Sequence, residues 1–236
     1  MWRLLLLHRD SLLARILADQ PLAPMLCRLV SVMVVSAAAY GATLGYWHGA
    51  RLAFYDAVKL PLVLVLTSLV TMFFSWVVAL AYSVPLRFGQ VAVLTFVALA
   101  TSSIVLLSLA PVAWFFTLCA PPPSTAARTT HNALYLMHTG FVGACGVAGT
   151  RILWDAMRRV RQPRRSVVPV YLLWVLAYAI VGGEVAWALR PFVGSVSPKY
   201  PVVFLRRDAL AGNVYEFIGS DIVPYFLSSG RDAHER

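Results

Sequence analysis

Glu184 is the residue of this sequence best placed to do chemistry, because its carboxyl group lies within a long apolar stretch. It falls in the second half of residues 168–189 and follows Gly182 and Gly183. Ionisable residues inside membrane spans are costly and usually face protein or water. Three interpretations stay open. Glu184 is solvated near the outer interface, couples to a proton or cation, or pairs with an arginine of a partner.

Two histidines share one face of a predicted helix. His138 lies within another apolar stretch, residues 132–150, and His131 immediately precedes it. His131 and His138 are seven residues apart, which places them about 10 Å apart along a helix axis. That distance is too long for one small metal ion, and His48 belongs to a different helix. We therefore favour polar packing at His138, which is also, with Glu184, a candidate functional residue within the membrane. The sequence predicts neither a metal site nor a cofactor.

Hydroxyl groups are concentrated in the second and third apolar stretches. They belong to Thr67, Ser68, Thr71, Ser75, Thr95, Thr101, Ser102, Ser103 and Ser108. Such hydroxyls bond back to helix carbonyls or across helices, so a hydrophilic groove is one alternative and internal bonding is the other. We find no hydrolase, zinc-protease or phosphate-loop motif, and therefore expect no enzyme.

Small residues recur at helical spacing in two stretches. The first contains Ala37, Gly41, Gly45 and Gly49, and the fourth contains Gly140, Gly143, Ala144 and Ala148. Small residues at this spacing let helix backbones approach closely in lipid. The pattern predicts helix packing, either of the first helix against the fourth or against another subunit. A glycine-lined permeation path is the alternative.

The composition points to a membrane. Of 236 residues, 60% are hydrophobic and 13% are charged, and the net charge is +10, whereas soluble domains are about a quarter charged. The basic residues cluster between apolar runs, which favours anionic lipid headgroups over nucleic acid as their partner. We predict contact with anionic lipid or an acidic partner at one basic loop. Its arginines are Arg158, Arg159, Arg161, Arg164 and Arg165.

Five stretches are long enough to cross a bilayer. They are residues 29–47, 60–82, 91–118, 132–150 and 168–189. The sequence thus predicts an all-α polytopic bundle of about five spans within residues 25–190, with an extramembrane tail at 191–236. Pro111 predicts a kink in the third span, and Pro191 predicts that the last ends at Arg190.

Two further segments lie outside these spans. The apolar and charged residues before position 19 alternate at helical spacing, which predicts an amphipathic surface helix and linker over residues 1–24. The mixed stretch 51–59 predicts an interfacial turn of helix. The short leucine run at 4–7 is too brief for a cleavable signal peptide, so we expect the N-terminus to be retained.

The distribution of lysine and arginine gives the orientation. The N-terminal segment and the loops after the second and fourth spans together carry eleven, and the opposite short loops carry three. The positive-inside rule therefore places the N-terminus in the cytoplasm and the tail outside.

The sequence also resembles known membrane proteins. Residues 182–195, with Glu184 and the run Arg190-Pro-Phe-Val-Gly-Ser195, followed by 212–216, resemble the end of an uncharacterised group of bacterial multi-pass membrane proteins. The region from Lys59-Leu-Pro61 through the third span resembles the Yip1-type membrane fold. These resemblances imply a bacterial cytoplasmic membrane and supply no catalytic residue.

These observations predict a non-enzymatic membrane subunit, a scaffold or adaptor in a bacterial envelope complex that associates with partner helices or with itself. The alternative is a transporter or channel component that uses Glu184 and the hydroxyls of the second and third spans. A third interpretation, a membrane enzyme acting on lipids, needs Glu184 within hydrogen-bond reach of a histidine.

Overall fold

The computed structural model describes residues 5, 9–18, 21–124, 127–160, 166–194, 202–205 and 212–217. All regular structure in this part of the chain is helical. The helices are α1 (Arg9–Leu17), α2 (Ala23–Gly45), α3 (Ala50–Ala81), α4 (Phe88–Ser108), α5 (Ala110–Cys119), α6 (Arg128–Arg159), α7 (Val168–Ala188) and α8 (Val214–Phe217). A short 3₁₀ turn, Tyr46–His48, follows α2. The predicted all-α bundle is therefore confirmed.

The chain passes five times between two ends of the bundle, through α2, α3, α4 with α5, α6 and α7. We call the end where α1 lies the N-terminal end, and the end where residues 191–194 and 202–205 lie the cap end. Helix α6 joins the two, because His131 near its start contacts Gly194 and Arg159 at its end pairs with Asp10 of α1. Helix α4 packs on α2, α3 and α6, whereas α7 packs mainly on α3.

Four of the described helices are long and apolar enough to cross a membrane: α2 with its 3₁₀ turn, α3, α4 and α7. This is the pattern of an integral membrane protein. Helix α6, predicted at 132–150 to be a fifth span, is 32 residues long but is not among the four, because its glycine, histidine and threonine residues lower the mean hydropathy. The predicted five spans are thus four by length and composition, with α6 as a fifth pass of the chain.

Prolines explain several helix boundaries. The third predicted span is two helices, since α4 ends at Ser108 and α5 begins at Ala110 with Pro111 in its first turn, where proline is tolerated. At the predicted kink the helix is interrupted at one residue, Leu109, between α4 and α5. By contrast, residues 51–59 are not a separate interfacial turn. They are continuous with α3, which keeps Pro61 in its interior.

Helix α1 is amphipathic, and its apolar face lies on protein. Leu12, Leu13 and Ile16 are buried in the main core cluster. The Gln90 side chain ties α1 to α4, because its Oε1 accepts from the Arg87 backbone N–H (2.9 Å) and its Nε2 donates to the Ile16 carbonyl (3.2 Å). One glutamine thus satisfies a backbone group at the start of α4 and another at the end of α1.

Candidate functional site

Glu184 lies in α7 towards the cap end and is half-buried. Its neighbour Tyr215, on α8, donates its hydroxyl hydrogen to the Ile180 carbonyl over 3.0 Å. Partial burial, and secondly the Glu184 carboxylate, raise the pKa of Tyr215 above its usual value. Within the described residues no histidine forms a hydrogen bond with Glu184; the imidazoles of His131 and His138 contact Gly194 and Tyr40 instead.

His138 is buried and joins two helices through a hydrogen bond. Its Nδ1 lies 2.8 Å from the Tyr40 hydroxyl of α2, and the two rings meet edge to face with centroids 5.7 Å apart. His131 instead lies at the cap end, where its Nε2 is 3.2 Å from the Gly194 carbonyl. Across the described ranges no three His, Cys, Asp or Glu side chains group together as metal ligands. His138 therefore links α2 to α6 as a polar packing residue.

The hydroxyls of α3 and α4 bond mostly within their own helices. Ser68, Thr71, Thr95 and Thr101 each donate to the carbonyl four residues earlier, over distances of 2.6–3.0 Å. Such bonds satisfy the hydroxyl hydrogen without presenting a polar surface to a neighbouring helix. These four residues accordingly do not form the continuous polar lane that a hydrophilic path requires.

A buried ion pair is the polar feature that the sequence analysis missed. The Lys59 Nζ lies 3.6 Å from Asp56 Oδ1, and both side chains are fully buried. Lys59 also donates to the Pro191 carbonyl over 2.6 Å and lies 5.5 Å from the ring centroids of Phe192 and Phe204. No hydrogen-bond donor in the described residues reaches either oxygen of Asp56. We call these five residues the capped ion pair.

The spacing of Asp56 and Lys59 is the signal that could have revealed the pair. Residues three apart lie side by side on a helix, and both precede an apolar run without interruption. Treating 51–59 as an interfacial turn placed them in water instead. The tail residues that cover Lys59 are more than 130 positions away in the chain, and no local pattern indicates them.

The small residues of α2 pack against α3 at the capped ion pair. A Cβ atom at Gly45 would lie 2.6 Å from both Asp56 Oδ2 and the Leu52 carbonyl, and one at Gly41 would overlap the Asp56 carbonyl. Ala37 is fully buried. The prediction that this face packs against the fourth span is therefore wrong. The short 3₁₀ connection between α2 and α3 brings α3 directly beside α2.

Gly49 has a different role from the other members of its predicted set. A Cβ placed there would meet nothing within 4 Å, and its φ of +113° lies in the region that favours glycine. It forms the turn into α3 rather than a packing surface.

In α6 the predicted packing residues mostly face open space. A Cβ atom at Gly140, Gly143 or Gly146 would meet nothing within 4 Å, and Ala144 is exposed, while Ala148 is half-buried. For Gly140, Gly143 and Ala144, the predicted packing role is thus not fulfilled by any described element of this chain. The bundle closes instead at Gly149, where a Cβ would overlap Ser102 of α4.

Several exposed residues of α6 recur at helical spacing and form one surface, which we call the outer face of α6. They are Ala133, Leu136, Gly140, Ala144 and Val147. Leu136 is 70% exposed and Val147 is 58% exposed. Between these two side chains, at Gly140 and Ala144, only a hydrogen atom or a methyl group covers the backbone, so another helix can approach it closely.

A cavity of about 370 Å³ opens between α6 and α7, with α3 and α4 as its floor. We call it the lateral cavity. Gly143 and Gly146 line its α6 side, and Trp174 and Tyr178 line its α7 side. Its surface is mainly apolar, although four residues of α3 and α4 that carry hydroxyl groups line the floor. Those hydroxyl residues are Thr71, Ser75, Thr95 and Ser102.

The predicted basic contact residues are partly engaged within the chain. Arg159 forms an ion pair with Asp10 of α1, whereas Arg158 is exposed. Arg161, Arg164 and Arg165 lie outside the described residues. The N-terminal end gathers further exposed basic side chains, those of Arg15, Arg28 and Arg87.

No protein-family model matches this chain, and no curated protein or solved structure is significantly similar to it. The resemblance to a bacterial multi-pass group and to the Yip1-type fold therefore stays a prediction.

Proposed function

We propose that this membrane protein is a non-enzymatic subunit of a bacterial envelope complex, and that the outer face of α6 binds a transmembrane helix of a partner protein. The observation that carries the proposal is the exposed small-residue surface around Gly140 and Ala144. In lipid, helices associate through close van der Waals packing rather than the hydrophobic effect, and small residues permit it.

The contrast between α2 and α6 supports a partner outside the chain. Both helices carry small residues at the same spacing, but those of α2 are already covered by α3. Helix α6 is also the long helix whose composition falls short of a lipid-spanning segment. A protein neighbour along its outer face would shield the Gly140 backbone from lipid.

The basic N-terminal end supports a cytoplasmic orientation of that end. Exposed arginines at a membrane boundary are attracted to anionic headgroups, at roughly 1 kcal/mol each. On this proposal the N-terminal end contacts the inner leaflet of the bacterial cytoplasmic membrane, and the cap end lies outside. The transport alternative draws less support, because four of the hydroxyls that would line its path, those of Ser68, Thr71, Thr95 and Thr101, bond within their helices.

Site-specific photo-crosslinking in native membranes tests the proposal. A benzophenone side chain at Leu136, on the outer face, should give one stoichiometric protein adduct. The matched control places the same group at Phe73 of α3, which is 61% exposed but lies away from the outer face, and it should give lipid adducts alone.

A second variant makes the result specific. Gly140→Leu adds bulk where nothing lies within 4 Å, so it should leave the fold intact and abolish the Leu136 adduct. Lipid adducts alone at Leu136, or a protein adduct that survives Gly140→Leu, would contradict the proposal.

A further inference from the structure

The stretch of chain that follows α7 lies across the capped ion pair. We call residues 191–194 the strap. Lys59 of α3 holds its first residue, because its Nζ donates to the Pro191 carbonyl over 2.6 Å. His131 of α6 holds its last residue, since its Nε2 lies 3.2 Å from the Gly194 carbonyl and a carbonyl oxygen can only accept. The strap is thus bound at its two ends by side chains of two different helices.

Between these two bonds the strap packs on the bundle. Val193 is 4% exposed and belongs to a core cluster with Trp47. Gly194 lies against the His48 ring, because a Cβ placed on Gly194 would be 2.5 Å from His48 Cδ2. The φ of Gly194, +79°, also favours glycine. Pro191, Phe192 and Gly194 are half-buried, so the strap lies on the surface of the bundle.

The ion pair under the strap lies close to the water at the cap end. Residues 60–81 of α3 carry no charged side chain and are about 33 Å long as a helix. That length alone crosses a hydrocarbon core of about 30 Å. The first turns of α3, which contain Asp56 and Lys59, therefore fit beyond the hydrocarbon at the cap end. Movement of the strap would expose them to water rather than to lipid.

The closed strap leaves the two charges incompletely paired. Both side chains are fully buried, and the 3.6 Å between Lys59 Nζ and Asp56 Oδ1 exceeds an ordinary hydrogen bond. No donor in the described part of the chain reaches either Asp56 oxygen. Desolvation of a buried pair is repaid only when further hydrogen bonds complete it, and water would supply them. Burial of Val193 therefore favours the closed strap, whereas hydration of the two charges favours an open one.

We propose that the strap is a gate that moves off the bundle as one unit, and that its open state exposes Lys59 and Asp56 to water at the cap end. The helices stay folded during this movement. Such local openings need less free energy than global unfolding. The gate lies on the covered ends of α2, α3 and α6 and does not depend on the outer face of α6.

Acetylation of Lys59 measures the opening. The purified full chain in mild detergent micelles is treated with a water-soluble sulfonated N-hydroxysuccinimide ester of acetate. The chain contains two lysines, Lys59 and Lys199, and mass spectrometry of the peptide that contains Lys59 gives its rate alone. A fully buried amine reacts only while it is exposed, so the rate reports the open fraction. Because a local opening exposes little surface, we expect the rate to stay nearly constant as dodecyl sulfate is added below the unfolding transition.

Two variants at the far end of the strap test whether it moves as one unit. His131→Phe keeps a ring beside Trp47 (centroids 5.6 Å apart) but removes the donor to Gly194. It should raise the Lys59 rate about fivefold, the effect of one ordinary hydrogen bond. Gly194→Ala places a methyl group against His48 at a positive φ and should raise the rate roughly tenfold. The matched control is Tyr135→Phe, one turn along α6 at a side chain that is 55% exposed, which should leave the rate unchanged.

The proposal is overturned if Lys59 is acetylated no faster than global unfolding allows, with the same dependence on dodecyl sulfate. An unchanged rate in either His131→Phe or Gly194→Ala would also overturn it, because the strap would then not move as one unit. An equal increase in Tyr135→Phe would show that the effect is not specific to the strap. Circular dichroism of each variant confirms that the helices are retained, so that faster acetylation reports the gate and not a loss of fold.

Discussion

Replacement of Lys59 by methionine tests the energetics of the capped ion pair. Methionine keeps most of the length of the lysine stem but removes its charge and its hydrogen-bond donors. The variant would lose the bond to the Pro191 carbonyl and the contacts of the ammonium with Phe192 and Phe204. Asp56 would stay buried with no counter-charge.

The size of the effect follows from the geometry. At the 3.6 Å separation of the pair, two unit charges attract by about 5 kcal/mol at an effective dielectric constant of 20. Desolvation of both groups offsets much of that attraction, but breaking such a pair still costs about 3–5 kcal/mol because one charge is left uncompensated. We expect a loss of that size for Lys59→Met, and a similar one for Asp56→Leu.

The double variant separates pairing from packing. When both charges are replaced by apolar side chains of similar volume, the stability is often unchanged, so Asp56→Leu with Lys59→Met should lie within about 1 kcal/mol of the natural chain. The assay is reversible unfolding in mixed micelles of increasing dodecyl sulfate content, followed by circular dichroism.

A control variant on the same helix shows the effect of losing an exposed charge. Arg51 is exposed, and its Nε donates to the Tyr55 hydroxyl over 3.0 Å; Arg51→Met should cost below about 1 kcal/mol, as surface contacts do. The reasoning is refuted if Lys59→Met costs no more than Arg51→Met. Additive effects of the two single replacements would also refute it, since they would mean that the charges do not interact.

Three further predictions concern packing between helices. Gly45→Ala should lower the free energy of unfolding by about 1–3 kcal/mol, because its Cβ would strike α3. The control Gly143→Ala should change the free energy of unfolding by less than about 0.5 kcal/mol. Equal effects of the two variants in the same unfolding assay would contradict the close approach of α2 and α3. Tyr40→Phe should cost about 1–3 kcal/mol by leaving His138 Nδ1 unpaired, and Tyr40→Phe with His138→Leu should recover part of that loss, which a double-mutant cycle measures. Gln90→Ala should release α1, seen as faster amide hydrogen exchange at residues 9–18 while α4 stays protected; unchanged exchange would show that the apolar face alone holds α1.

The sequence was sufficient for the features that depend on local composition. Long apolar runs predicted five spans, four of which are helices long and apolar enough to cross a membrane, and Pro111 predicted a kink close to where α4 gives way to α5. The small-residue spacing of α2 correctly indicated a face without bulk. It could not indicate which helix packs on that face, because the spacing of Gly41 and Gly45 would be the same whether α3 or α6 contacts them.

Hydropathy was a poor guide where charges are buried. Averaging the hydropathy over a window makes Asp56 and Lys59 indicate a solvent-exposed segment. Their burial instead depends on the tail residues Pro191, Phe192 and Phe204, which cover Lys59. Residues 132–150 were predicted to be a span, whereas the mean hydropathy of α6 falls short of one and its glycines line an open surface and a cavity.

The docking of α1 onto α4 imposes an order of events during synthesis. Gln90 emerges 74 residues after Ile16, whose carbonyl it binds; at roughly 5–20 residues per second, α1 exists for about 4–15 s before that partner is made. During this interval the apolar side chains of α1 have no protein to cover them, and the bilayer surface is the nearest apolar phase. The nascent α1 would therefore rest on the membrane first and transfer to the bundle later, so that its release from lipid reports the arrival of α4, the third pass.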